Sequence, residues 1–333
     1  MKNPFKNIKN PFKQFLDPKT QIVKHGKWYA IAPLAIIGVG LLVVLIFGLN
    51  LGLDFTSGRI ISVGEFGKNR AEVEAVVREV LHEELGTGLA KKSFLQFEEG
   101  GSDILSVKYI EPKGTDDEVD AVNAAINSGI ITKMQLEHGI DVTIELSEEI
   151  PPSTSADRLL NVFVSIFLAL LGIMIYMLFR FKLTSGIAAI IALFHDVLVM
   201  LAAVAVFRIQ INFIFVAAVI TVVAYSLNNT LVLFDRVRDK ERDATNTQTV
   251  EQRVDSAIKE TFWRTLITTI TTLVPVLVLC IFGVTSIREF ALPIIFGLLA
   301  GTYSTMLLTS TLYVRFENAR AAKAKLKKIA ASA

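Results

Sequence analysis

Six stretches of about twenty apolar residues dominate the chain, at residues 28–49, 159–179, 183–207, 211–233, 262–282 and 290–314. Each is long enough to cross a hydrocarbon core of ~30 Å as an α-helix, and a run of six leaves little room for a soluble fold. Composition agrees: of 333 residues 52% are hydrophobic, and the mean hydropathy is +0.51. The chain reads as a multi-pass α-helical membrane protein with six transmembrane helices. The first stretch follows a Lys-rich segment, but it exceeds the ~7–15-residue core of a secretory signal and shows no small-residue cleavage pattern. It is expected to remain as an anchor.

Charge sets the expected orientation. Lysines crowd residues 1–27, where Asp17 is the acid; Arg236, Arg238, Lys240, Arg242, Arg253 and Lys259 follow the fourth stretch; Arg315, Arg320, Lys323, Lys325, Lys327 and Lys328 follow the sixth. Six spans place all three groups on one side, and the excess of Lys and Arg makes that side cytoplasmic, with both termini there. The Ala/Lys-rich tail is expected to fray and to lie near the anionic surface of the lipid bilayer rather than on nucleic acid.

Residues 55–150 form an acidic soluble segment on the opposite, extracytoplasmic face. Residues 59–66 alternate as a strand does, and residues 72–85 place Val73, Val76, Val77, Val80 and Leu81 on one helical face. Residues 92–99 and 103–110 read as strands joined at Gly100 and Gly101. Residues 116–130 open with acids and reach Gly129 near their end, as a helix does, and residues 141–146 make a last strand. The order βαββαβ is that of an α+β ferredoxin-like domain. The expected organisation is a basic leader (1–27), helix one (28–49), the outer domain (55–150), five further helices (159–314) and a basic tail (315–333).

A charged side chain at the centre of such a helix costs roughly 3 kcal/mol, so each polar group there is a candidate site. His195 and Asp196 lie deepest, Asp196 ~20 Å from the cytoplasmic boundary; packing and pathway roles weigh equally. Asn228, Asn229 and Thr230 lie within roughly 10 Å of that boundary, which falls near Asp235. Arg264 opens the fifth stretch with Thr265, Thr268, Thr269, Thr271 and Thr272, at a depth matching Asn229 on an antiparallel neighbour. Most of these threonines are expected to bond back to their own helix, and Arg264 to snorkel to the interface. Gly297, Gly301 and Ser304 form a small-residue stripe suited to close helix contact. Asp235, Arg236, Arg238 and Asp239 read as a solvated charged face. A single cysteine, Cys280, excludes an intrachain disulfide, and four scattered histidines show no metal spacing. No nucleophile set or phosphate-binding glycine loop points to an enzyme, and no cofactor is expected.

Taken in order, these stretches resemble the SecD/SecF family within the resistance-nodulation-division superfamily. GLDFTSGRI, residues 52–60, is similar to the family's Gly-x-Asp-Phe-x-Gly-Gly motif through Gly52, Asp54, Phe55 and Gly58. ALFHDV carries its His-Asp-Val, and AYSLNNTLVLFDRVRD, residues 224–239, resembles its Gly-Tyr-Ser-x-Asn-Asp-Thr block ending in Asp-Arg-x-Arg. TFWRTLITTITTL and FGLLAGTYST match the last two helices. The resemblance implies a subunit of a bacterial cytoplasmic membrane that works with SecD at the SecYEG channel, with YajC and YidC as further partners. It implies use of the proton-motive force to help an exported polypeptide across. Asn229 and Arg264 then hold the family's coupling positions, with Asp196 and His195 as further pathway candidates. Asn228, Thr230, Asp235, Arg236 and Thr268 would support the junction.

Asn229 departs from the pattern, which expects Asp, and an amide does not titrate. Three explanations are open: an acid in SecD suffices, an Asp-to-Asn replacement holds one state, or coupling has moved to Asp196 or another ion. The rival functions are a half-transporter exporting lipids or small molecules, and a translocon scaffold that uses no protons.

Overall fold

The computed structural model describes residues 17, 20–52, 55, 58–64, 66, 70–90, 93–97, 104–112, 114–150, 152–243, 247–283 and 285–332. A 3-10 turn at Val23–His25 and one helical turn at Gly26–Tyr29 lead into α1 (Ile31–Phe47). Then come β1 (Gly58–Gly64), α2 (Arg70–Ala90), β2 (Phe94–Phe97), β3 (Ile104–Tyr109), α3 (Asp116–Lys133) and β4 (Thr143–Ile150). The rest is helical: α4 (Pro152–Arg180), α5 (Leu183–Val206), α6 (Phe213–Arg242), α7 (Val250–Phe282), α8 (Thr285–Tyr303), a π segment (Ser304–Thr309) and α9 (Ser310–Ser332). Two compact units result. One comprises the described residues of Asn50–Ser165 with Gln210–Phe213, and the other the remaining described residues.

The first unit is built on an antiparallel sheet of order β2-β3-β1-β4. Arg59 lies opposite Tyr109 and Gly64 opposite Ile104, while the β1–β4 ladder shifts register between Ile60 and Ile61. Alternation puts Ile61, Val63, Leu105, Val107 and Tyr109 on the buried face, against Val73, Val77, Val80 and Leu81 of α2 and Ile126 and Ile130 of α3. The helical face expected on α2 is therefore the packed one. That helix runs on to Ala90, broken at Gly86 with a φ of +72°. A capping box joins Thr115 and Glu118 at the start of α3.

Gly129 does not end α3. It lies inside the helix, where a Cβ would meet Val80 at 3.1 Å, so its small size lets α3 approach α2. The stop comes after a π turn (Met134–His138), at Gly139 with a φ of +65°. The expected turn at Gly100 and Gly101 lies outside the described residues. A polar chain crosses this unit: Tyr109 donates to Asn123 Oδ1 (2.9 Å), and Asn123 Nδ2 and Arg59 Nε both donate to Glu111 Oε1 (3.0 Å each). Burial, helped by Glu111 and opposed by Arg59, pushes the Tyr109 phenol up to about 12. Hydrogen bonds to Glu83 and Glu79 raise the Lys133 ammonium above its ordinary value.

The motif after α1 also packs within this unit. Ile211 N–H donates to Asn50 O (2.8 Å) and Gly52 N–H to Ile211 O (2.7 Å), while Phe55 is buried edge-on to Phe213 at 5.1 Å. A Cβ at Gly52 would sit 3.1 Å from Ile211 O, which explains the glycine. Gly58 begins β1. Asp54 lies outside the described residues.

Among the described residues five helical stretches are long and apolar enough to cross a membrane: Leu160–Met177 within α4, α5, α6, α7 and Ile287–Lys327 across α8, the π segment and α9. The apolar α1 is shorter, with 17 residues. α6 continues past its expected end to Arg242, and α7 starts early at Val250, capped by Thr249 and Gln252. The tail continues α9 as helix to Ser332; alanine and lysine are good helix formers, and the helix is already nucleated upstream. Small residues set the close contacts. A Cβ on Gly40 would meet Ala202 at 2.3 Å, one on Gly297 would meet Val222 at 2.3 Å, and one on Gly301 would meet Ser226 at 3.0 Å.

Candidate functional site: a buried carboxylate among three helices

Close approach of α8 to α6 at Gly297 and Gly301 lets short hydroxyls reach a common centre on α5. That centre is Asp196, fully buried. Ser226 of α6 donates to its Oδ2 at 2.5 Å, and Ser304, first residue of the π segment, donates to the same oxygen at 2.9 Å. His195 Nδ1 lies 3.0 Å from Oδ1. With Nδ1–H donating, the neutral ring leaves Nε2 as an acceptor; that atom is buried without a partner and borders an apolar cavity of about 590 Å³ beside α1 and α8. Both carboxylate oxygens are thus hydrogen-bonded, which offsets the cost of burying the group. The carboxylate thereby ties α5 to α6 and to the π segment.

A second hydroxyl chain runs beside the first. Tyr225 OH donates to Thr269 Oγ1 of α7 (2.8 Å), which lies 2.8 Å from Thr302 Oγ1 of α8. One turn along α6, Thr230 Oγ1 meets Thr305 Oγ1 of the π segment at 3.1 Å. Asn229, 2% exposed, neighbours Thr230 on α6, and its Nδ2 has no partner among the described residues.

The structure brings some of the expected site residues together and separates others. Asp196, His195 and Thr230 lie in the junction, and Asn229 borders it. Arg264 does not: it is exposed, as is Asn228, and no hydrogen bond or ion pair joins it to Asn229 among the described residues. Thr268 bonds back to the carbonyls of Arg264 and Thr265, as expected of a helical threonine. The polar junction therefore centres on α5, α6 and α8 rather than on Asn229 and Arg264. Ser226, Tyr225, Thr302 and Thr305 were not marked by residue type, because isolated hydroxyls in apolar helices usually bond to their own backbone. The i, i+4 spacing of Ser226 and Thr230 was the available signal.

The charged run in the last turns of α6 is tethered rather than simply solvated. Asp235 takes Arg180 at 3.0 Å, Arg236 and Lys240 both hold Glu260 of α7, and Lys182 holds Glu241 at 2.6 Å. Glu260 and Glu241 draw these cations together because α6 extends two turns beyond its apolar part, alongside the early start of α7.

Comparison with known proteins agrees with this layout. The family described as protein export membrane protein SecD/SecF, C-terminal, matches residues 130–319, and the SecD/SecF GG motif matches residues 43–64. The chain is 33% identical over 284 residues to the protein translocase subunit SecF of Magnetococcus marinus, covering 84% of this chain and 86% of that one. It is 32% identical over 280 residues to SecF of Helicobacter pylori, with 83% and 80% covered. A solved structure of SecDF from Thermus thermophilus, described as a translocon-associated membrane protein, superposes with a TM-score of 0.69 at 27% identity over 91% of this chain. This chain spans 39% of that one, and 38% of SecDF from Bacillus subtilis, to which it is 27% identical over 90% of its own length. Matched over most of its length by the family's own sequence pattern and by relatives above 30% identity, the chain belongs to the SecD/SecF family of protein export membrane proteins.

Proposed function

We propose that the chain is one half of a proton-driven protein-export assembly of the bacterial cytoplasmic membrane. It works with SecD at SecYEG, alongside YajC and YidC, so that inward proton flow helps an exported polypeptide leave the channel. The observation that carries this reading is Asp196. Asn229 cannot receive a proton, whereas Asp196 is a buried carboxylate bonded to two other helices, so that its charge state and their packing are linked. A driven cycle gains ~2.3 kcal/mol per proton per 100 mV, enough to shift such a packing equilibrium.

The names of the relatives support protein translocation, and the name SecDF supports SecD as the other half. An exposed polar edge on α7 supports the same partner: Arg264, Thr271 and Thr272 are open, and the spacing of Arg264, Thr268, Thr271 and Thr272 places them on one face. The basic ends of α4, α6 and α9 support both termini inside. The βαββαβ order with a β2-β3-β1-β4 sheet supports a ferredoxin-like outer domain. α1, about 26 Å long at the helical rise, supports a sixth span when joined to the turn before it.

The test is secretion of a reporter into membrane vesicles at a fixed membrane potential. Asp196→Asn is expected to remove the gradient-dependent part of the rate and Asn229→Asp to raise it; unchanged rates in both would overturn proton coupling through this chain. Asn229 itself favours a second reading, a translocon scaffold that uses no protons. Under that reading the chain's contribution survives collapse of the gradient by an uncoupler.

A further inference from the structure

A second cavity, polar and of about 250 Å³, opens where α4 ends, α5 begins and α6 runs past its apolar part; its lining includes Arg180, Lys182, Ser185, Arg238, Glu241 and Tyr313. Ser185 lies eleven residues before Asp196 on α5, ~16 Å along the axis, so this cavity is separate from the buried junction. Three cations converge on it. Arg180 is held by Asp235 at 3.0 Å and lies over the Phe181 ring, and Lys182 is held by Glu241. Glu241, the carboxylate in the lining, has both oxygens engaged, one by Lys182 at 2.6 Å and the other by Tyr313 OH at 2.8 Å. Arg238 has no hydrogen-bond or ion-pair partner among the described residues, although it lines the cavity.

Two features indicate what Arg238 faces. Ser185 is 5% exposed and lines the cavity, and its hydroxyl has no hydrogen-bond partner among the described residues. A hydroxyl without a partner in the lining of a cavity is available to donate to a ligand there. The first turn of the 24-residue α5 begins here, and Lys182 at its N-cap supplies no side-chain cap. Its amide groups lack intrahelical acceptors and carry the positive end of the helix dipole. A free guanidinium, a free hydroxyl in the cavity lining and a helix N-terminus are the donor set that recognises a tetrahedral oxyanion.

We propose that this cavity binds a phosphate group through Arg238, the Ser185 hydroxyl and the first-turn amides of α5. Two sources share that chemistry: the phosphodiester of an anionic phospholipid, and free phosphate. The lipid source rests on the topology proposed above, which sets the cavity at the headgroup level of the cytoplasmic leaflet, where basic pockets between helices take such lipids.

The experiment uses the full chain purified in an uncharged detergent. Its thermal unfolding midpoint is followed during titration with dioctanoyl phosphatidylglycerol, with dioctanoyl phosphatidylcholine and with inorganic phosphate. The expected result is a rise in midpoint whose apparent Kd weakens about tenfold in Arg238→Gln and several-fold in Ser185→Ala. Arg242→Gln, an exposed arginine one turn further along α6, should match the parent. A rise with phosphatidylglycerol alone assigns the lipid; a rise with inorganic phosphate as well assigns free phosphate. Equal effects of phosphatidylglycerol and phosphatidylcholine, or parental binding by Ser185→Ala and Arg238→Gln, would overturn the proposal. Ser185→Ala keeps the test decisive if Arg238→Gln unfolds. Binding is read without transport, so its failure and the failure of proton-driven export are separate outcomes.

Discussion

Asp196 and Asn229 illustrate how differently two buried polar side chains can be served. Asp196 has donors from three sources; Asn229 has an amide nitrogen with none. Removing one donor from a buried carboxylate costs ~1–3 kcal/mol. Ser226→Ala is therefore expected to lower unfolding stability by that amount, read by chemical denaturation in detergent, with a smaller loss for Ser304→Ala because Ser304 also bonds the Gly301 carbonyl at 3.2 Å. Asp196 was legible in the sequence because a lone acid deep in an apolar stretch has few innocent explanations. Its serine donors were not, since their roles depend on helix rotation, which the residue types leave undetermined. The matching depth of Asn229 and Arg264 does not bring them together for the same reason: equal depth on neighbouring helices says nothing about which way each side chain points, and Arg264 is exposed, as snorkelling requires.

At the scale of elements, the contacts that assemble the junction depend on absent side chains. Gly297→Leu would drive a branched side chain into Val222, where even a Cβ has only 2.3 Å. Overpacking of this kind costs ~1–3 kcal/mol, and by prying α8 from α6 it should also break the Ser226 and Ser304 bonds to Asp196. A thermal melt of the variant beside Ser226→Ala checks whether the loss exceeds that of the hydroxyl alone. This stripe can be read from spacing, whereas the close approach at Gly129 cannot, because a glycine for close packing and a glycine near a helix end look alike in sequence. In the same unit, Asn123→Ala would strand the Tyr109 hydroxyl, and an expected loss of ~1–3 kcal/mol is measurable by denaturant titration.

For the molecule as a whole, alkaline conditions should bear first on the four-stranded unit. Below pH 10 the Tyr109 phenol is neutral in both folded and unfolded chains and takes nothing from stability. Between 10 and about 12 the unfolded phenol releases its proton while the folded one keeps it, so stability falls as pH rises. Lys133, whose folded ammonium holds its proton more tightly than the unfolded one, adds stability below its ordinary range that is likewise lost on the alkaline side. Tyr109→Phe is expected to be less stable at pH 8 but to lose stability less steeply from pH 10 to 12, followed by denaturant midpoints across that range. The π segment at Ser304–Thr309 bears on the last span in another way. A π turn holds one residue more than an α turn, so it rephases the two halves of one rod by about 100°. Upstream, that phase points Gly297 and Gly301 at α6; downstream, it seats Tyr313 edge-on to Phe234 at 5.3 Å. Deleting a single residue there would leave both halves helical yet unable to dock together, a fault of timing along the rod rather than of any contact in it.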